Sequence, residues 1–316
     1  MRKMVCILGA LAAGAAAGEW VYEGQWGTTG SGNGQFNYPY DVACAANGNV
    51  YVTDVSNHRI QYFTPTGSYL GKWGTVGAGN GQLEHAYSLD VAANGVVYVA
   101  DADNYRIQYF TSTGSFLGKW GSNGTGNGEF SKCEAIAIHP NGGSIYTAET
   151  FNCRVQYFTP QGSFLGKWGI SGTANGQFQS PRAIDVLSNG DVYVADTYNR
   201  RVQYFTSTGS FLGKWGTYGN GNGQFTLPKG IAVTPDNHVA VSDASRNYVQ
   251  YFTATGSFID RFEHSGYFKM YNGVGVSPSG NRIYVADSES DWVEYYRWSD
   301  EPVEPASLGK VKAFFR

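Results

Sequence analysis

Carboxylates, amides and guanidinium groups recur in this 316-residue chain in a fixed order. Asp54, Asn57 and Arg59 form an Asp-x-x-Asn-x-Arg unit that returns as Asp101, Asn104, Arg106 and as Asp196, Asn199, Arg201, with Glu149, Asn152, Arg154 as an acidic variant. The combination invites a catalytic reading, but a group needed once for chemistry is not needed in every copy of a repeat. A structural role fits better: the Asp accepts backbone N–H bonds in a turn, the Asn tolerates a left-handed backbone, and the Arg pairs with an acid. Two copies depart from the unit, with Arg246 and Tyr248 in one and Ser290 and Trp292 in the other, so those turns are expected to be built differently. Glycine-rich segments such as Gly74 to Gly81 resemble phosphate cradles. A phosphate loop follows a strand and opens a helix, whereas these lead into another strand. The five histidines, His58, His85, His139, His238 and His264, share no register and are expected to scatter, which disfavours a three-ligand zinc site.

The elements that must position these groups repeat six times. Val50 to Asp54 returns at Val97 to Asp101, Ile145 to Glu149, Val192 to Asp196, Val239 to Asp243 and Ile283 to Asp287, with its acid at spacings of 47, 48, 47, 47 and 44 residues. Each copy holds four strand-like pieces; in the fourth these are 182–186, 191–195, 201–205 and 211–215, separated by Asn189-Gly190 and Thr208-Gly209 turn signals. Four short strands per unit, repeated about an axis, predict an all-β propeller of six blades. The sixth copy stops after Tyr296 without its last strand, and Tyr22 to Gly27 aligns with Tyr69 to Gly74. The N-terminal strand is therefore expected to complete the last blade and remove an exposed sheet edge. Trp26, Trp73, Trp120, Trp168 and Trp215 fall in the outermost strands, where blade-to-blade packing would use them, and Lys72, Lys119, Lys167 and Lys214 beside four of them face solvent.

Composition agrees with this plan: 43 glycines and 23 tyrosines accompany only 15% charged residues. A formal net charge of −3 with no basic block counts against a nucleic-acid binder. Arg2 and Lys3 precede an apolar run ending in Ala15-Ala16-Ala17, which reads as a secretory signal peptide over residues 1–17, too short to span a membrane. The propeller is expected over 18–298, followed by a tail over 299–316. There Asp300 to Pro305 is an acidic linker, and Ser307 could cap a short helix to Arg316 with Leu308, Val311 and Phe315 on one stripe. The expected product is a secreted or periplasmic monomer with no membrane span.

The stretch Pro181…Ile184-Asp185-Val186…Gly190…Val192-Tyr193-Val194-Ala195-Asp196-Thr197-Tyr198-Asn199-Arg200-Arg201-Val202-Gln203…Phe205…Gly209 resembles the NHL repeat, and the likeness extends over roughly residues 19 to 298. The resemblance implies a six-bladed propeller and leaves activity open, because members serve different functions. NHL-like peptidyl-hydroxyglycine lyases carry a within-blade disulfide. By that likeness, and because both positions open strands on one face of an exported propeller, Cys133 and Cys153 are expected to pair, with a metal pair as the weaker alternative. Cys44 takes a slot filled elsewhere by Val91, Ile138, Val186, Val233 and Val276, and is expected to be buried and unreactive. Those lyases hold zinc through histidines directly after the residue that opens the first strand. That slot holds Tyr40, Tyr87, Glu134, Arg182, Lys229 and Asn272 here, none of them His. Calcium-dependent lactonases on other six-bladed propellers imply converging acids and amides, for which Glu134, Asn272 and Asp41 are the candidates. Asp90 and Asp185, in the middle of first strands, face either the channel or a neighbouring blade.

A site should lie where the repeats disagree, since positions that obey the repeat are explained by folding. Tyr40, Tyr87, Glu134, Arg182, Lys229 and Asn272 disagree near the channel, and His58, Tyr105, Arg200, Asn247 and Asp291 further out on the same face. The inner series mixes aromatic rings, cations and an acid, as binding surfaces do. The expected function is a binding scaffold for a protein, peptide or glycan at the channel mouth, with no cofactor. The alternative is a lactonase-like hydrolase or a lyase at the same mouth, calcium being the ion it would use.

Overall fold

A computed structural model describes residues 18–263 and 270–300. Residues 1–17, where a signal peptide is expected, residues 301–316 of the expected tail and His264 lie outside the described residues.

Six four-stranded antiparallel sheets surround a central channel. The first blade comprises Pro39–Cys44, Val50–Asp54, Arg59–Phe63 and Tyr69–Trp73 from the channel outwards, and the next four repeat that order. In the sixth, Tyr271–Val276, Arg282–Asp287 and Trp292–Ser299 are completed by the N-terminal strand Glu19–Trp26, which pairs antiparallel with Trp292–Ser299 from Glu19↔Ser299 to Trp26↔Val293. The six inner strands pack in sequence and close the ring, with Tyr271–Val276 against Pro39–Cys44.

Side chains alternate between the faces of each sheet, so each blade buries one row against the preceding blade and the other against the following one. Apolar clusters therefore lie between blades. Between blades one and two, Tyr51 and Ile60 meet Leu89, Val99 and Phe110. The outer-strand tryptophans pack as their spacing predicts: Trp73 lies 5.7 Å from Phe110 of the next blade and Trp26 5.7 Å from Phe63 across the closure. Gly67 shows why the turn before the outer strand carries glycine. Its φ is +88°, and a Cβ there would fall 2.6 Å from the Trp26 ring. Blade five ends on Phe262 instead of Trp, and Trp20 and Tyr296 fill the seam to blade six at 5.7 and 4.7 Å from its ring.

The Asp-x-x-Asn-x-Arg unit is structural. Asp54 accepts from the Asn37 backbone N–H at 2.8 Å, from Asn57 at 2.9 Å and from Arg59 Nε at 2.6 Å. Arg59 spends its remaining N–H groups on the carbonyls of Ser31, Gly32 and Gln35, holding the glycine-rich loop against the blade. The same arrangement recurs at Arg106, Arg154 and Arg201. In blade five Tyr248 stands at the motif's Arg position; Asp243 accepts from the backbone N–H groups of Thr226, Leu227 and Ser245, and Arg246 Nε donates to Thr226 Oγ1.

One expectation is corrected here. Cys133 and Cys153 are free cysteines, as is Cys44. Cys133 is buried in the cluster between blades two and three, whereas Cys153 packs on the cluster between blades three and four. Within the blade Cys133 pairs with Glu149, the acid of the second strand, and Cys153 sits in a left-handed turn at φ +51° beyond it. The thiols thus pack on opposite faces of one sheet. Among the described residues no helix is long and apolar enough to cross a membrane.

Candidate functional site

Every inner strand carries a register shift beside its second residue: between Pro39 and Val42, Ala86 and Ser88, Cys133 and Ala135, Pro181 and Ala183, Pro228 and Gly230, and Tyr271 and Val274. Such bulges leave a residue out of the ladder and re-aim its side chain. The residues released this way include Tyr40, Tyr87, Glu134, Arg182, Lys229 and Asn272, the series that disagrees between repeats.

Four of them, Tyr40, Glu134, Arg182 and Lys229, line one channel cavity of about 130 Å³. Tyr87 does not line the cavity but packs on Tyr40, its ring 4.9 Å away in an edge-on contact. Arg182 Nε lies 3.6 Å from Glu134 Oε2, too long for a hydrogen bond, and Lys132 Nζ lies 3.9 Å from Glu134 Oε1. Lys229 Nζ sits 5.8 Å from the Tyr40 ring centroid and 3.8 Å from Met270 Sδ. Asn272 does not line the cavity: it is fully buried and donates to Ser288 Oγ, leaving Oδ1 without a partner. Glu134 Oε2 and the Tyr40 hydroxyl are also buried without a hydrogen-bond partner. Burial pushes the Tyr40 phenol well above its ordinary range, helped by the Glu134 charge. Burial, with Arg182 nearby, lowers the Lys229 ammonium to about 8.

The outer series divides. Tyr105 packs on the apolar cluster between blades two and three and does not reach the cavity. The His58 ring lies 5.0 Å from that of His85, tilted by 50°, and His85 in turn bonds Asp103 at 2.7 Å. The histidines therefore do not all scatter, because the turn of blade one meets the strand start of blade two. Tyr38, His85 and Lys132 belong to the mouth and escaped the sequence reading. They occupy left-handed positions just before the inner strands, with φ of 61°, 49° and 53°. The signal was present, since this column also changes from repeat to repeat, as Tyr38, His85, Lys132 and Ser180. Exposed aromatics with cations over them extend the rim: Phe151 beneath Lys132, Tyr198 beneath Arg182 and Tyr218 beneath Arg200.

Below the mouth, Asp41, Asp90 and Asp185 face the channel and bridge neighbouring blades. An inner strand has one unpaired edge, and its N–H groups need acceptors. Asp41 Oδ1 accepts from Val42 N, while Oδ2 accepts from Leu89 N and Ser88 Oγ of the next blade. Asp90 accepts from Val91 and Ile138, and Asp185 from Val186 and Val233. Burial raises all three carboxyls, Asp41 to about 6, Asp185 to about 7 and Asp90, which also feels Asp185, to about 8. With both oxygens of each carboxyl engaged, these groups satisfy backbone edges. The set Glu134, Asn272 and Asp41 does not converge, and among the described residues no group of three His, Cys, Asp or Glu is placed to hold a metal ion.

The NHL repeat matches residues 36–63 and 178–205. No curated protein matches the chain. Among solved structures, a structural-genomics protein of unknown function from Bacteroides thetaiotaomicron superposes with a TM-score of 0.68 at 14% identity, over 89% of this chain and 76% of that one. Virginiamycin B lyase from Staphylococcus aureus gives 0.59 at 14% identity over 85% and 86%, and a streptogramin B lyase gives 0.61 at 12% over 89% and 98%. At such identities the likeness is one of fold. The chain is a six-bladed β-propeller carrying NHL repeats.

Proposed function

We propose that this propeller is a secreted binding protein whose ligand presents an anionic group to the channel mouth. The observation that carries the reading is the Tyr40 hydroxyl, a buried donor without a hydrogen-bond partner in the cavity that Arg182 and Lys229 also line. A buried polar atom without a partner costs about 1–3 kcal/mol, and a ligand that supplies the partner recovers part of that cost. At the mouth Arg182 and Lys229 face the single acid Glu134. Asp41, Asp90 and Asp185, deeper in the same cavity, have both oxygens engaged by strand-edge donors, so an anion is favoured at the mouth and not below it. The aromatic rim at Tyr87, Phe151 and Tyr198 offers stacking surface to the rest of a peptide, protein or glycan. Export rests on the Arg2-Lys3 start and the apolar run after it, and N-terminal sequencing of protein recovered from outside the cell tests it.

A thermal-shift screen of carboxylate-bearing compounds and acidic peptides tests the binding reading. Hits should stabilise the wild type and fail to stabilise a Tyr87→Ala, Arg182→Ala double variant that melts like the parent. Hits that stabilise both equally would move the site to the opposite face or the tail. A lyase or hydrolase acting at the same mouth is the second reading, favoured by Lys229, a buried amine brought into the range of a general base. Turnover abolished by Lys229→Met, with ligand binding retained, would decide for it.

A further inference from the structure

We propose that Lys229 is a carbonyl-capturing amine, forming an imine with a short 2-oxo acid whose carboxylate rests on Arg182. The inference rests on the mouth being the binding site and names the ligand class.

Lys229 differs from the four lysines that face solvent on the outer strands. It is only 7% exposed, lines the cavity, and has no carboxylate within ion-pairing distance among the described residues; its contacts include a thioether sulfur and the Tyr40 ring. An ammonium in that setting gives up its proton more readily than one in water, and a neutral amine is a nucleophile. Folding does not demand a lysine here, because the equivalent positions hold Tyr40, Tyr87, Glu134, Arg182 and Asn272. The same cavity holds a guanidinium for a carboxylate and, in Glu134 Oε2, a carboxylate oxygen that makes no hydrogen bond and can move a proton. A volume of about 130 Å³ suits a short-chain acid.

The step balances without an outside oxidant or reductant. The nitrogen lone pair attacks the carbonyl carbon, the carbonyl oxygen takes up a proton, and a carbinolamine results. Loss of that hydroxyl as water, with the second amine proton, leaves the carbon–nitrogen double bond.

The test incubates the folded chain with glyoxylate and cyanoborohydride, which reduces any imine to a stable carboxymethyl-lysine, and maps the modified lysines by mass spectrometry. Lys229 should be modified on the order of tenfold faster than Lys72, Lys119, Lys167 or Lys214, which act as internal controls without any mutation. Arg182→Gln should slow labelling of Lys229 by glyoxylate several-fold more than labelling by acetaldehyde, which has no carboxylate and reports only the loss of the guanidinium's effect on the amine; equal slowing of both would remove Arg182 as the carboxylate's seat. Modification of Lys229 no faster than the outer lysines overturns the capture. If glyoxylate then still stabilises the wild type in an Arg182-dependent way, the mouth stands as a binding site and only the covalent step fails. If it does neither, both fail for this class of ligand.

Discussion

Ser88 and Asp41 lie on the inner strands of adjacent blades, and the Ser88 hydroxyl donates to Asp41 Oδ2 at 2.6 Å while accepting from the Ile136 N–H of the third blade at 3.2 Å. One serine and one aspartate thus stitch three inner strands together along edges that no strand covers. Asp90 and Asp185 make the same kind of bond from single blades. These carboxyls sit where the ring needs acceptors, and their burial couples stability to pH.

The sign of that coupling follows from the raised values. Asp41, Asp185 and Asp90 titrate near 6, 7 and 8 in the folded chain against an ordinary 3.8, so between those limits the folded state binds more protons than the unfolded one. Their contribution is full below about 3.8 and is lost as pH rises through 6 to 8. Melting curves should show a fall in stability across that window that is shallower in Asp90→Asn. An identical slope in the variant would remove Asp90 from the account.

Removal of Arg59 should be costly even though its motif recurs in other blades. Arg59→Ala leaves Asp54, fully buried, without its cation and releases three loop carbonyls. Breaking such a pair costs about 3–5 kcal/mol, whereas Lys72→Ala on the outer strand should stay within about 0.5 kcal/mol. Denaturant midpoints of the two variants make the comparison, and near-equal values would contradict the structural role of the motif.

Truncation before Thr28 deletes the strand that closes blade six. Trp20 and Trp26 leave the seams on both sides of that blade, and Trp292–Ser299 is left with an open edge. The loss is expected to reach several kcal/mol, comparable to the whole margin of a domain. The truncated chain should lose its cooperative melt; one that melts like the intact chain would refute the closure.

Thiol counting on denatured, unreduced protein should find Cys44, Cys133 and Cys153 all reactive. In the folded state Cys133 should react slowest, since burial and the Glu149 charge hold its thiol well above the ordinary range. Only one reactive thiol among the three would restore the bridge that the structure lacks.

The fold was legible because it is written six times: Val50-Tyr51-Val52-Thr53-Asp54 and its copies give strand, turn and blade count, and Tyr22 to Gly27 gives the closure. The mouth was legible only as a column of disagreement. That column could not show that the bulge beside Tyr40 or Lys229 re-aims a side chain, since register shifts depend on the partner strand. Nor could spacing decide the direction of Asp90 and Asp185, because side chains on an inner strand alternate between neighbours while its free edge faces the channel. The cysteine expectation failed for a related reason. Positions 133 and 153 share a face of the ring, yet their side chains point to opposite faces of the sheet.

Met270 offers the most direct test of the mouth as the binding site. Its sulfur lies 3.8 Å from both Lys229 Nζ and the Tyr38 hydroxyl, and the only other methionines of the chain are Met1 and Met4. With carbon-13 in the methionine methyl groups, a titration with any stabilising carboxylate from the thermal-shift screen should move the Met270 signal saturably in the wild type and leave it unmoved in Arg182→Ala. A ligand that saturates the protein by calorimetry while the Met270 signal stays fixed would contradict the account.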